Sequence, residues 1–339
     1  MNSKVAYSDR MLPWHRLGTP VPDGASVNQM LDIASCNYDV FTTKVAAVDA
    51  NGKMLYDSSG KPIIIDDSRA TVRSNPDGSF KGISTVGTRY VVQQNREVLD
   101  RAVSVAKIMR GLHADGNVRV DACGSIGGGR EFFATIHLGT SIIDPSGVAD
   151  RIDEYLVVRN GHDGKTPITF VNTPIRVVCK NAIMVAVNES SKKITARHTK
   201  NADSIVNDGT EVAKQWVDLS RRTKKIAEKM IQIAVSDNDT VALVARNVLF
   251  RGDGKRSSLH LDSAVESIVN IYSSNKNSAH YGKNAWSLYN AIVEYLDHER
   301  EANPIDRAEA TMDSTSWVSK KKILTAEHVL ALPSGKSVR

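Results

Sequence analysis

Cysteine is scarce in this chain. Its 339 residues hold three, Cys36, Cys123 and Cys179, odd in number and far apart. That usage excludes a disulfide framework and suits free thiols in a reducing cytoplasm. No CxxC pair occurs, so a structural zinc site is not expected. There is also no apolar run of about 18 residues, the length a membrane-spanning helix needs. The first residues, MNSKVAYSDRMLPWHRLG, contain no apolar h-region, so no signal peptide is expected. Internal repeats and low-complexity tracts are missing too. The glycine-rich run from Gly124 to Arg130 is not a GxxxxGK phosphate loop, and a strand pattern follows it where such a loop needs a helix. It reads as a hairpin turn.

What remains is ordinary globular material. Hydrophobic residues make up 41% of the chain, enough to bury a core. The length suits roughly two domains. Residues 1–25 are punctuated by Pro13, Pro20, Pro22 and Gly24 and read as loop. Ser26 is placed to cap a short helix over VNQMLDIASC. Strand patterns follow in YDVFTTKVAAV, KMLYD, KPIIID and RATVRS, separated by Asn51-Gly52 and Asn75-Pro76-Asp77-Gly78. Val98, Leu99, Ala102, Val103, Ala106 and Met109 form an apolar stripe on a helix from about Arg96 to Leu112. NVRVDACGSI, REFFATIHLG, EYLVVRN and PITFVN are strands again.

After Asn201 the period changes to that of a helix. Val212, Trp216, Leu219, Thr223, Ile226, Met230 and Ile233 recur at spacings of three and four. Three more helical segments follow, up to about Arg300. The expected fold is therefore α+β: an antiparallel β-rich N-terminal domain over 1–200, a helical region packed on it over 201–300, and a weakly structured segment over 301–339. On the last of the three helices, Trp286, Tyr289 and Tyr295 suit either core packing or stacking on nucleobases.

Charge is unevenly placed. From Arg176 to Met230 there are 12 basic and 6 acidic residues, and the rest of the chain holds 32 of each. One block of 55 residues therefore carries the whole formal surplus of +6. A concentrated basic surface favours polyanions, although a solvated helix face rich in lysine gives the same count. The residues this assigns to nucleic-acid contact are Arg176, Lys180, Lys192, Lys193, Arg197, His198, Arg221, Arg222, Lys224 and Lys225.

A second set of candidates sits at element junctions. In Gly161-His162-Asp163-Gly164 two glycines allow a tight turn that exposes the side chains between them. His162 and Asp163 could then contact phosphate, ligand or metal, while the same residues also suit a plain Asp-Gly turn. Asn181 is placed to cap a helix start beside Arg176 and Lys180, an arrangement that could hold an anion. Cys179 reads as a buried small apolar residue. Nothing in the spacing of Cys179, His162 and His198 enforces a catalytic dyad, and no catalytic residue or cofactor is assigned.

Several phrases together resemble the phage/plasmid-like protein family, a domain of unknown function found on bacteriophages, plasmids and integrative elements. They are Pro13-Trp14-His15 with Leu17-Gly18, Val86-Gly87 with Arg89-Tyr90, and Gln94-Asn95. Gly124-Ser125-Ile126, Gly128-Gly129-Arg130, His162-Asp163-Gly164 and Thr173 to Asn181 continue the match. Arg197-His198-Thr199 and Trp286, Asn290, Ala291, Glu294, Tyr295, Asp297 and His298 complete it. Members tend to carry threonine and leucine after the asparagine, where this chain has Ala182-Ile183. The resemblance implies a mobile-element setting near recombination and replication genes. By analogy with single-strand annealing proteins, the expectation is a DNA-binding protein of the host cytoplasm. It would favour single-stranded DNA, assist annealing, recombination or replication, and could form a homo-oligomer. The alternatives are a metal-dependent nuclease or hydrolase using His162, Asp163 and His198, and a structural or regulatory protein that binds a host or phage partner.

Overall fold

The computed structural model describes residues 5–8, 19–22, 25–111, 118–143, 150–176, 194–202, 209–250, 258–274, 282–300 and 316–333. The fold is α+β. Among the described residues, ten strands form two sheets. The larger runs β10-β9-β8-β7-β6-β1-β2, with β1 Val5–Ser8, β2 Thr19–Val21, β6 Arg119–Ile126, β7 Glu131–Ile143, β8 Asp150–Gly161, β9 Ile168–Arg176 and β10 Ile194–Ala196. All neighbours in it are antiparallel except β1 and β2, which run parallel. The smaller sheet is β3 Asp39–Ala46, β4 Ile64–Ser74 and β5 Phe80–Gly87, antiparallel throughout.

Two helices cover one face of the large sheet. Helix α1, Val27–Ile33, starts at a capping box in which the Ser26 hydroxyl accepts from the Gln29 N–H and the Gln29 side chain answers to the Ser26 N–H. Helix α2, Asn95–Gly111, packs on β7 and β8. Seventeen residues alone would be marginal as a helix in water. Its buried Val98, Leu99, Val105 and Met109 meet Phe132, Ile136, Leu156 and Val158 of the sheet, and each such side chain contributes about 1.5–3 kcal/mol.

Helix α3, Gly209–Ile231, joins this core to a second one. Its Trp216 belongs to the sheet–helix core, while Ala227 and Met230 belong to a mainly helical core that also takes in Ile152 of β8. That second core is built with α4 Asn238–Leu249, α5 Ser258–Ser274, α6 Ala285–Glu294, a π-helical turn Tyr295–Glu299 and α7 Trp317–Leu330. Trp286 is fully buried and stacks on Tyr289 at 5.7 Å, so the base-stacking reading of this helix is corrected: its aromatics are core.

Other sequence expectations also need correction. KPIIID and RATVRS lie largely on one long strand, β4, and KMLYD contributes only isolated bridges, Val48 with Met54 and Tyr56 with Pro62. Asp49 and Asp57 cap these turns by accepting backbone N–H groups two and four residues on. The segment taken as weakly structured contains α7. Its apolar signal is faint because its inner face includes Ser319, Lys322 and Thr325, all fully buried. Lys322 Nζ lies 2.7 Å from one oxygen of Asp297 and 2.8 Å from the other, pinning α7 to the π-helical turn. No helix among the described residues is long and apolar enough to cross a membrane.

Candidate nucleic-acid interface

The tip of the β8–β9 hairpin organises the candidate site. A Cβ on Gly161 would stand 2.3 Å from the Thr166 carbonyl oxygen, and Gly164 has φ +75. Only glycine fits at the first, and the second needs the left-handed region that glycine adopts freely. Asp163 closes the tip by accepting the N–H groups of Lys165 at 2.9 Å and Thr166 at 2.8 Å. It serves its own turn.

His162 is turned inward, contrary to the exposure expected from its turn. Its N–H donates to the Arg130 carbonyl at 2.7 Å, and its own carbonyl accepts the Thr71 hydroxyl at 2.8 Å. The ring is fully buried, with Nε2 2.9 Å from Asn95 Oδ1. Asn95 uses its Nδ2 on the Cys36 carbonyl, so its Oδ1 accepts and the His162 Nε2 carries the proton. Asn160 donates to the same Oδ1 and to the Gln93 carbonyl. Burial, aided by nearby His198, pushes the His162 pKa down to about 3. The ring is a neutral joint between the hairpin and the start of α2.

Beside this joint lies a cleft of about 1420 Å³. Its walls are the end of the small sheet (Asp67 and Val86–Val91), the hairpin residues Gly164–Pro167, and Thr195 with Arg197–Asn201. Tyr90 donates to the Gly161 carbonyl at 2.8 Å and stacks on His198, with ring centroids 4.8 Å apart and planes at 19°. The Val91 N–H donates to the His198 carbonyl at 2.9 Å, tying the two walls together. His198 is only 6% exposed, and neither ring nitrogen makes a hydrogen bond of good geometry, although the Val91 backbone lies close enough to favour the charged ring against the effect of burial. Burial pushes its pKa down to about 4, so it is neutral near pH 7. A buried neutral imidazole without a well-formed hydrogen bond, lining a cleft, is equipped to make one with a bound group.

Four cationic side chains line the same cleft: Arg89, Lys165, Arg197 and Lys200, all exposed. Among the described residues, Asp67 is the single carboxylate of the lining. None of the four cations takes part in an ion pair among the described residues. Thr88, Thr166, Thr195 and Thr199 add hydroxyls. The electrostatic character is that of an anion groove with one aromatic stack beside it.

Of the residues assigned from sequence, Arg197 and His198 line the cleft. His162 and Asp163 lie within electrostatic reach of His198 but do not line it. Arg221, Arg222, Lys224 and Lys225 are exposed on α3 and none of them lines the cleft; Arg222 pairs with Asp218 at 2.8 Å. Arg176 ends β9, where its backbone pairs with Ile152. Lys180, Asn181, Lys192 and Lys193, with Cys179, lie outside the described residues. Arg89, Lys165 and Lys200 were not assigned from sequence. Arg89 sits in one of the family-like phrases and Lys165 directly follows the Gly161–Gly164 turn, but a count along the chain cannot see three segments converge.

The glycine run Gly127–Gly129 is the β6–β7 turn, with φ of +62, +73 and +103, and it docks under the small sheet. A second polar group lies elsewhere on the large sheet. Tyr155 donates to Asp121 at 3.1 Å, Arg119 pairs with Asp121, and His137 Nε2 lies 3.3 Å from Asp153. Among the described residues, no three His, Cys, Asp or Glu side chains are grouped so as to hold a metal ion.

A family model for a domain of unknown function (DUF932) matches residues 82–317. The chain belongs to that family. The match takes in most of the cleft, from Val86 to Asn201, and all the helices from α2 to α6. Neither a curated protein nor a solved structure matches the chain.

Proposed function

We propose that this DUF932 protein binds single-stranded DNA in the cleft between the small sheet and the β8–β9 hairpin. The observation that carries the reading is the convergence of Arg89, Lys165, Arg197 and Lys200, exposed and in no ion pair among the described residues, beside the Tyr90–His198 stack. Lysine and arginine heads contact phosphates, and the neutral His198 ring offers one directed hydrogen bond. A flexible single strand can follow a cleft bounded by three loops more readily than a rigid duplex.

The biological setting extends the same reading. The resemblance to phage/plasmid-like proteins supports a mobile genetic element, acting in the host cytoplasm in annealing, recombination or replication. Homo-oligomers suit such work. A hydrolytic role has less support, because His162 is sealed in the interior and Asp163 spends an oxygen on its own turn. The test is a gel-shift titration with single- and double-stranded DNA of equal length at two salt concentrations. Binding that favours the single strand and weakens with salt is the expected result. No shift of either DNA at low salt would remove the proposal.

A further inference from the structure

The small sheet has two unlike faces. The inner face buries Val40, Ile83 and Tyr38 and reaches the hairpin through Thr71. Strand register puts Phe41, Thr43, Ala70, Val72, Phe80 and Thr85 together on the outer face. Phe80 is 68% exposed and Phe41 40% exposed. Their rings meet edge to face at 5.8 Å. Register puts only one charged residue among these ranks, Asp39, at the rim and opposite Ser74. Monomeric proteins rarely leave two aromatic rings in one open apolar patch without a use for them.

One end of this sheet borders the cleft, so a strand leaving the cleft passes round that end to reach the outer face. Gly87 pairs with Ser68 at the end of the sheet, and Gly87 and Asp67 are cleft residues. From Gly87 to Phe80 the strand covers about 23 Å at its usual rise. A groove for single strands typically takes roughly 4–16 nucleotides, so one strand can occupy both surfaces.

We infer that the outer face of β3–β5 is a base-stacking platform for the strand whose phosphates enter the cationic cleft, with Phe41 and Phe80 as its stacking rings. The inference rests on the cleft reading. The cleft cations at the end of the sheet, in no ion pair among the described residues, select the occupant. A protein partner would need the apolar face alone, whereas a single strand brings phosphates for the cleft and π-faces for the rings. Stacking on exposed phenylalanine is tolerant of sequence, since every base has a π-face. The platform therefore gives preference for unpaired bases without a sequence code.

The test compares two 20-nucleotide probes of equal phosphate count, oligo-dT and an oligomer of abasic sites, using the full chain and a Phe41→Ala, Phe80→Ala double variant. The full chain should bind oligo-dT at least about tenfold more tightly than the abasic probe. The double variant should lose that ratio while keeping its abasic affinity, its salt dependence and, within a few degrees, its melting temperature. Equal affinity of the full chain for both probes overturns the platform and leaves the cleft reading standing. Unchanged oligo-dT affinity in the double variant does the same. If that variant instead shifts a dimer to a monomer in sedimentation, with oligo-dT affinity intact, the face joins two copies and the platform is overturned. Failure of the full chain to bind either probe at low salt overturns both readings.

Discussion

The cleft reading makes a quantitative demand on salt dependence. Single-stranded DNA releases counterions so that the logarithm of affinity falls with the logarithm of salt at a slope of about −0.7 per phosphate neutralised. Four cleft cations, Arg89, Lys165, Arg197 and Lys200, give a slope of about −2.8. Between 50 and 200 mM salt that is roughly a 50-fold loss of affinity. Replacing Arg89 and Arg197 by alanine halves the count, so the slope falls to about −1.4 and the loss to roughly sevenfold. All four side chains are exposed and unpaired among the described residues, so removing two leaves no buried partner stranded. Fluorescence anisotropy with a labelled oligo-dT across five salt concentrations reads the slope directly. The control is Arg221→Ala with Lys225→Ala on α3, which should leave the slope near −2.8 by the same rule. If the α3 pair changes the slope and the cleft pair does not, the linear basic block is the binding surface and the argument from convergence is wrong.

Three further outcomes follow from the packing. Gly161→Ala forces a Cβ to 2.3 Å from a backbone oxygen, so it should lower stability by about 2–4 kcal/mol in a urea titration; a change below about 0.5 kcal/mol would contradict the close approach. Acid should destabilise the fold through its two buried imidazoles, whose folded pKa values of about 3 (His162) and about 4 (His198) lie below the ordinary 6.5. The unfolded chain binds more protons in that window, so stability is full above about pH 7 and falls as pH drops through 6.5. Each imidazole should remove about 2 kcal/mol by pH 5, and a His162→Gln variant should show a visibly shallower pH dependence by denaturant titration. Asp297→Ala removes the carboxylate that pairs with the fully buried Lys322 ammonium and should cost about 3–5 kcal/mol, whereas Asp297→Leu with Lys322→Met should recover most of it in thermal unfolding.

Periodicity carried the elements that bury a clean stripe. Helix α2 announced itself through Val98, Leu99, Ala102 and Met109, and α1 through the Ser26 cap. Helix α7 did not, because its buried face mixes Lys322, Ser319 and Thr325 with Val318, Ala326 and Val329. Burial of that lysine depends on Asp297, which is 25 residues away in the chain, and no local pattern encodes such a partner. The same limit applies to the site. Arg197 and His198 were visible within a basic block, but Arg89 and Lys165 lie in locally neutral sequence. They join the cleft only because β5, the β8–β9 hairpin and the segment after β10 end at one place.

The two histidines near the hairpin show why residue type is a weak guide to role. His162 sits between two glycines in a turn, a position that suggests exposure. Yet three elements hold it: Arg130 receives its N–H, Thr71 reaches its carbonyl, and Asn95 takes its ring proton. Every one of those bonds is internal, so the residue has been drawn inward to set the height of the hairpin. His198 has the opposite balance. Its backbone carbonyl is bound by Val91, while its ring nitrogens make no hydrogen bond of good geometry beside a cationic opening. A buried polar atom without a partner carries a cost of about 1–3 kcal/mol. His162 carries part of the same cost at its buried Nδ1, but its Nε2 and backbone are held by internal bonds that stiffen the frame, whereas the His198 ring borders the cleft, where a bound group can relieve the cost. The hairpin is thus the support of the cleft, and the Tyr90–His198 stack is the part that faces its opening.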